Sequence, residues 1–194
     1  MSDEAVAAAR VRAVLEETAA THRQAAAGDV DPIVRAAGLM RDAIARGGKI
    51  LVCGNGGSAT AAQHFAAELV GRYLKERRAW PALALSADTA IVTAIGNDYS
   101  FDLVFVRQVE AWGQPGDVLL GITTSGASKN VNGALVRARE RGLTTVGLTG
   151  RDGGETGPLV DVHINVSSPS TPRVQEVQRT ILHVICELIE QGLA

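Results

Sequence analysis

The apolar positions of this chain fall into two kinds of block. Short unbroken runs, Ile50-Leu51-Val52-Cys53, Ala82-Leu83-Ala84-Leu85, Val118-Leu119-Leu120 and Val146-Gly147-Leu148, are bounded by glycines or polar residues. Runs of this length predict strands, and their lack of polar alternation predicts that both sheet faces are covered. A further segment, Val160 to Val166, alternates and predicts a fifth strand at the sheet edge. Between and after these, longer stretches predict helices over 58–73, 88–95, 103–112, 130–141 and 172–191, with Ser58 capping the first and Pro172 opening the last. Ahead of the first strand, Ala5, Val11, Val14 and Leu15 recur at helical spacing. The stretch Gly28 to Pro32 divides residues 3–47 into two helices, with Asp31 as N-cap of the second and Pro32 at its first position.

Alternating strands and helices predict a three-layer α/β sandwich, a five-stranded parallel sheet with helices on both faces. Ligands in such sheets bind beyond the carboxyl ends of the strands. Two turns fall at that edge, Gly54 to Ser58 after the first strand and Thr123 to Ser128 after the third. With 194 residues, no internal repeat and no linker, residues 1–194 read as one domain. The helices of residues 1–47 are extra to a minimal α/β unit and are expected to pack on the domain or on a neighbouring subunit.

Composition narrows the class. Hydrophobic residues make up 46% and aromatics 4%, so the core is aliphatic. A net charge of -2 with scattered basic residues argues against a nucleic-acid partner. Two cysteines, Cys53 and Cys186, fit buried thiols in a reducing compartment better than a disulfide framework. No apolar run reaches the ~18 residues of a membrane span, and the acidic, Ala-rich start lacks the basic and apolar tandem of a signal peptide. The expectation is a soluble, cytoplasmic protein with no membrane partner.

The two turns carry the candidate chemistry. Gly54, Gly56 and Gly57 allow a tight turn and close approach of a ligand to the backbone, ahead of a helix whose positive end faces the turn. The same spacing loosely matches a dinucleotide fingerprint, but the acidic residue expected at the end of the second strand is missing, the nearest being Asp88, and no Walker pattern is present. No nucleotide cofactor is expected. Thr123, Thr124, Ser125 and Ser128 place four hydroxyls before a helix N-terminus, where each can donate to a phosphate oxygen. With no Lys or Arg among them, they suit a monophosphate; ordinary capping and tight packing are the plainer alternatives. His64 and Glu68, four apart on one helix, share a face and could bind a metal, act as an acid–base pair or merely stabilise the helix. His183, among Ile181, Leu182, Val184 and Ile185, and Gln175 are unremarkable alone.

Together, Cys53-Gly54-Asn55-Gly56-Gly57-Ser58, Gln63-His64 with Glu68, Gly71-Arg72-Tyr73, Gly96-Asn97-Asp98, Thr123-Thr124-Ser125-Gly126 and Thr171 to Glu176 resemble the sugar isomerase (SIS) domain family, and most closely its phosphoheptose isomerases. The resemblance covers nearly the whole chain. It implies a flavodoxin-like doubly wound sheet and interconversion of sedoheptulose 7-phosphate and D-glycero-D-manno-heptose 7-phosphate through an enediol, the first step of nucleotide-activated heptose biosynthesis. It implies that Asn55, Gly56, Gly57, Ser58, Glu68, Asn97, Asp98, Thr123, Thr124, Ser125, Ser128 and Gln175 bind the sugar phosphate. Glu68 and His183 are then the proton-transfer pair, and His64, Glu68, Gln175 and His183 the ligands of one zinc per subunit. It also implies a homotetramer with active sites between subunits, residues 1–47 serving its assembly. Eight residues separate Gln175 from His183, roughly 12 Å along an ideal helix. Either the helix start is irregular or different subunits supply the two, and the second option is preferred. Two positions depart from the family pattern: Ala61 stands where an Asp is common, and Gln178 where His is frequent. The missing carboxylate, one turn before His64, is expected to affect activity more than identity. The alternative reading is a non-catalytic relative that binds a sugar phosphate or a replication initiator.

Overall fold

A computed structural model describes residues 2–193. Two helices, α1 (Asp3–Ala27) and α2 (Asp31–Ala45), precede a sheet whose strands are β1 (Ile50–Gly54), β2 (Ala82–Ala84), β3 (Val118–Ile122), β4 (Thr144–Gly150) and β5 (Val162–Val166). Helix α3 (Gly57–Val70) follows β1, α4 (Thr89–Asp98) and α5 (Val106–Trp112) follow β2, α6 (Lys129–Glu140) follows β3, and α7 (Thr171–Leu193) closes the chain. All pairings are parallel, in the order β2-β1-β3-β4-β5, so β5 is an edge strand as its alternation predicts.

The apolar runs form strands because neighbouring residues fill opposite cores. Ile50, Val52, Val118, Leu120 and Ile122 pack with Met40 of α2, Phe65 and Leu69 of α3, and Ile181, Leu182 and Ile185 of α7. Leu51, Cys53 and Leu119 face the other way, onto Phe105, Val109, Val131 and Leu135. Strands β1 and β3 are buried at every position, as a sheet covered on both faces requires. The chain leaves β1 for α3 on one face and β3 for α6 on the other. The strand order reverses there, and a crevice opens beyond the carboxyl ends of β1 and β3.

Several expected boundaries move for local reasons. Val30 takes the N-cap of α2, and Asp31 lies inside the helix with its N–H donated to Asp29 Oδ1 at 3.0 Å. Gly56, at φ 55°, takes the N-cap of α3. Ser58 is therefore not the cap; it sits within the first turn, buried. Helix α4, capped by Asp88 accepting from the Ile91 N–H at 3.0 Å, runs through Gly96 to Asp98. Asn97 and Asp98 therefore end a helix where a loop is expected. The expected 103–112 helix divides into a 3-10 turn, Phe101–Leu103, and α5.

Helix α1 is largely exposed, with only Thr21 buried. Polar contacts tie it to α7: Thr18 Oγ1 donates to Glu176 Oε2 at 2.9 Å, His22 Nε2 meets Thr180 Oγ1 at 2.9 Å, and Arg173 donates to the Val14 carbonyl at 3.3 Å. Among the described residues, no helix is long and apolar enough to cross a membrane.

Candidate active site

Helices α3 and α7 run side by side and bring distant residues together. His64 Nε2 lies 2.8 Å from His183 Nε2 and 3.2 Å from Glu68 Oε1. The i, i+4 spacing puts His64 and Glu68 on the face of α3 turned to α7. All three side chains are half-buried, and one ligand atom from each lies within 4.8 Å of the others. Burial lowers the His183 pKa, His64 lowers it further, Glu68 opposes the shift, and Arg179 adds to the lowering. The net direction leaves the His183 imidazole neutral near pH 7. Two imidazole nitrogens and a carboxylate oxygen turned to one point form a donor set that fits a divalent metal such as zinc. Gln175, the fourth expected ligand, stands eight residues before His183 on α7.

Helix α7 is regular from Thr171, which removes the irregular start that could have brought Gln175 and His183 to one ion. Gln175 instead lies against the backbone of Gly57: a Cβ placed on that glycine would meet Gln175 Nε2 at 2.6 Å. It lines a cavity of about 270 Å³ with Gly57, Ser58, Ala61, Gln178 and Arg179. Ala61 is buried there, and Gln178, where the family often has His, donates to the carbonyls of Leu148 and Thr149 at 3.3 and 3.0 Å. Both departures are thus accommodated by packing.

The two turns face each other across the crevice. In the first, the Ser58 N–H donates to the Asn55 carbonyl and the Ala59 N–H to the Gly56 carbonyl, at 2.9 and 3.0 Å. In the second, Thr123 Oγ1 lies 3.0 Å from Ser128 Oγ and 3.4 Å from Ser125 Oγ, so three hydroxyls converge. The Ala127 N–H donates to Ser125 Oγ at 3.2 Å and the Gly126 N–H to Thr123 Oγ1 at 3.3 Å. Thr124 is half-buried beside them. Gly126, at φ 67°, lies so close to Gly153 and Gly154 that no side chain fits. Asn97 Nδ2 donates to Asp98 Oδ1 at 2.8 Å, both are exposed, and neither hydrogen-bonds to another candidate residue.

Three features gain their meaning only from packing, and two of them, Glu190 and Arg77, carry no signal at the level of motifs. The Tyr73 ring packs on His183, with centroids 5.6 Å apart. Glu190 is buried and accepts the N–H groups of Tyr73, Leu74 and Lys75 at 3.1, 3.0 and 2.9 Å. Arg77, with its Nε 3.3 Å from Glu190 Oε1, donates to the carbonyls of Glu68 and Leu69 at the end of α3. An acidic residue three from the end of a charged, amphipathic helix gives no hint of burial, and neither does Arg77 within a polar stretch.

Comparison with known proteins gives one consistent answer. Residues 13–150 match the SIS domain model. The chain is 58% identical over 155 residues to a phosphoheptose isomerase of Geobacter sulfurreducens, covering 80% of this chain and 82% of that protein. It superposes on a phosphoheptose isomerase from Neisseria gonorrhoeae with a TM-score of 0.89 at 46% identity, covering 94% of this chain and 97% of that one. A phosphoheptose isomerase from Francisella tularensis gives 0.92 at 36% identity, covering 95% and 98%.

Proposed function

The chain belongs to the SIS domain family and, within it, to the phosphoheptose isomerases, and from that premise we propose how its residues perform the reaction. It is an aldose–ketose isomerase that converts sedoheptulose 7-phosphate to D-glycero-D-manno-heptose 7-phosphate. The observation that carries the assignment of roles is the meeting of His64, Glu68 and His183, the first two on the helix that starts from the glycine turn.

In this reading Asn55, Gly56, Gly57 and Ser58 on one side, and Thr123, Thr124, Ser125 and Ser128 on the other, hold the sugar phosphate and so place C1 and C2. Glu68 takes the proton from C1 while His183 gives one to the carbonyl oxygen at C2, and the enediol forms. The hydroxyl at C1 then returns a proton to His183 as Glu68 delivers one to C2, leaving an aldehyde at C1 and a hydroxyl at C2. A neutral His183 suits this exchange, since it can give and take a proton without ever standing as a cation. Zinc, when held by His64, Glu68 and His183, supplies Lewis-acid polarisation of the substrate oxygens. A carboxylate has two oxygens, so Glu68 can hold a metal with one and exchange a proton with the other.

The exposed face of α1 and the separation of Gln175 from His183 support a homotetramer with residues 1–47 at its interfaces and active sites between subunits. Gln175 stays beside Gly57 of its own chain, and Asn97 and Asp98, exposed and bonded only to each other among the candidates, then complete the site of a neighbouring subunit. The test is turnover of sedoheptulose 7-phosphate with and without added zinc. Glu68→Gln and His183→Ala are each expected to lower kcat by roughly 10²–10⁴-fold while the fold is kept. Wild-type protein that binds the sugar phosphate and never converts it defeats this reading.

A further inference from the structure

The loops that frame the crevice are joined by a pair of side chains, of which one, Asn55, lies in a motif and the other, Asn130, does not. Asn130, in the first turn of α6, is only 3% exposed. Its Nδ2 donates to Asn55 Oδ1 at 2.9 Å, and Asn55 Nδ2 donates to Asn130 Oδ1 at 2.8 Å. The same Asn130 oxygen accepts the Val131 N–H at 2.9 Å, which fixes which end of the amide is oxygen. In such a reciprocal pair each amide uses a donor and an acceptor on the other, so the two backbones are held at one separation. Losing one amide leaves the other, in a part-buried site, with a donor and an acceptor unmet.

That separation matters for chemical reasons. Asn55 opens the glycine turn, and its carbonyl accepts the Ser58 N–H that starts α3. Asn130 stands two residues beyond Ser128, the hydroxyl that meets Thr123 at 3.0 Å. A phosphate group is small, and donors on two loops can reach it together only if the loops stay one anion apart. Gly54 shows how tightly they are set: a Cβ there would meet the Ile122 carbonyl at 2.9 Å and the Ser58 Cβ at 2.8 Å.

We propose that Asn130 is a positioning residue of the phosphate site, holding the glycine turn to the hydroxyl turn through Asn55. The proposal rests on the sugar-phosphate reading above and refines it. Asn55 contributes to affinity through the loop it anchors, because its amide is engaged by Asn130.

Asn55→Ala, Asn130→Ala and the double variant are titrated calorimetrically with sedoheptulose 7-phosphate and, separately, with inorganic phosphate, and kcat and KM are measured alongside. Each single variant is expected to bind both ligands roughly 10-fold more weakly or worse. The double variant is expected to be no weaker than the worse single one, since both remove the same brace. For Asn130→Ala, KM rises with the loss of affinity by a larger factor than kcat falls, the KM-against-kcat split of an anchoring role. Should Asn130→Ala fail to fold, Asn130→Asp keeps the shape and the acceptor but removes the donor to Asn55, and the same weakening is expected. Unchanged binding in the folded Asn130 variants overturns the proposal, as do losses that multiply in the double variant. Wild-type protein that binds sedoheptulose 7-phosphate without converting it removes the isomerase mechanism, and the two binding titrations still decide the brace.

Discussion

At the scale of single residues, burial sets the chemistry more than residue type does. His183 is turned to a neutral imidazole chiefly by burial, and only then by its neighbours. The same force acts on both thiols: burial pushes Cys53 and Cys186 up to about 12, although Arg77 and a backbone hydrogen bond pull Cys186 the other way. Thiols held so high stay protonated and are poor nucleophiles. Both cysteines are free and buried. A thiol-reactive dye at mildly alkaline pH is therefore expected to label neither in the native protein and both after denaturation. Rapid native labelling would mean that α7 or β1 opens locally, since those elements cover the two sulfurs.

At the scale of elements, the loop between α3 and β2 is held by the buried pair Arg77 and Glu190. Arg77 closes the carbonyl end of α3 and lies over Trp80, 3.7 Å from the ring centroid. Glu190 draws the 73–75 backbone onto α7, which seats Tyr73 on His183. Burial alone would raise the Glu190 pKa, but three backbone donors and Arg77 outweigh it, and the net direction is below the usual 4.5. A carboxyl lowered in the folded state stabilises fully above its unfolded value, and that contribution is lost as pH falls through the folded value. Glu190→Gln is expected to cost about 3–5 kcal/mol at neutral pH, because it leaves the Arg77 cation buried without its partner. Urea midpoints at about pH 7 and pH 3 check this: the gap between wild type and variant should narrow in acid. A constant gap would show that the carboxylate charge does not contribute.

At the scale of the whole molecule, one layer is unfinished. Val6, Val11 and Leu15 on α1 are 52%, 58% and 63% exposed, and Val30, Val34 and Val184 are exposed beside a cavity of about 750 Å³ between α1, α2, β5 and α7. Apolar side chains so exposed along a 25-residue helix suit a surface covered by other subunits. In the tetramer proposed above, sedimentation should report four times the 20.2 kDa of one chain. Val11→Glu with Leu15→Glu is expected to dissociate it and to lower turnover, since a site shared between subunits cannot form in a lone chain. A monomeric wild type with full activity would exclude shared sites.

The order of elements, the sheet's parallel sense and the position of both turns were legible in the sequence, because buried strands, glycine turns and hydroxyl clusters are local patterns. The runs at Ile50 and Val118 could be little else, since each residue must face one core or the other. The meeting of His64 with His183 lay beyond local pattern: it depends on α3 and α7 packing side by side across 119 positions of chain. Motif resemblance linked the two residues, and packing supplied the 2.8 Å. Ser58 and Asp31 lost their expected capping roles because the backbone at Gly56 and Val30 turned first. Asn97 and Asp98 joined a helix because α4 continued past Gly96. Asn130 and Glu190 had no motif to announce them, and the motif that holds Tyr73 did not foretell its place on His183. Their importance comes from what lies against them, and only the folded chain brings those neighbours within reach.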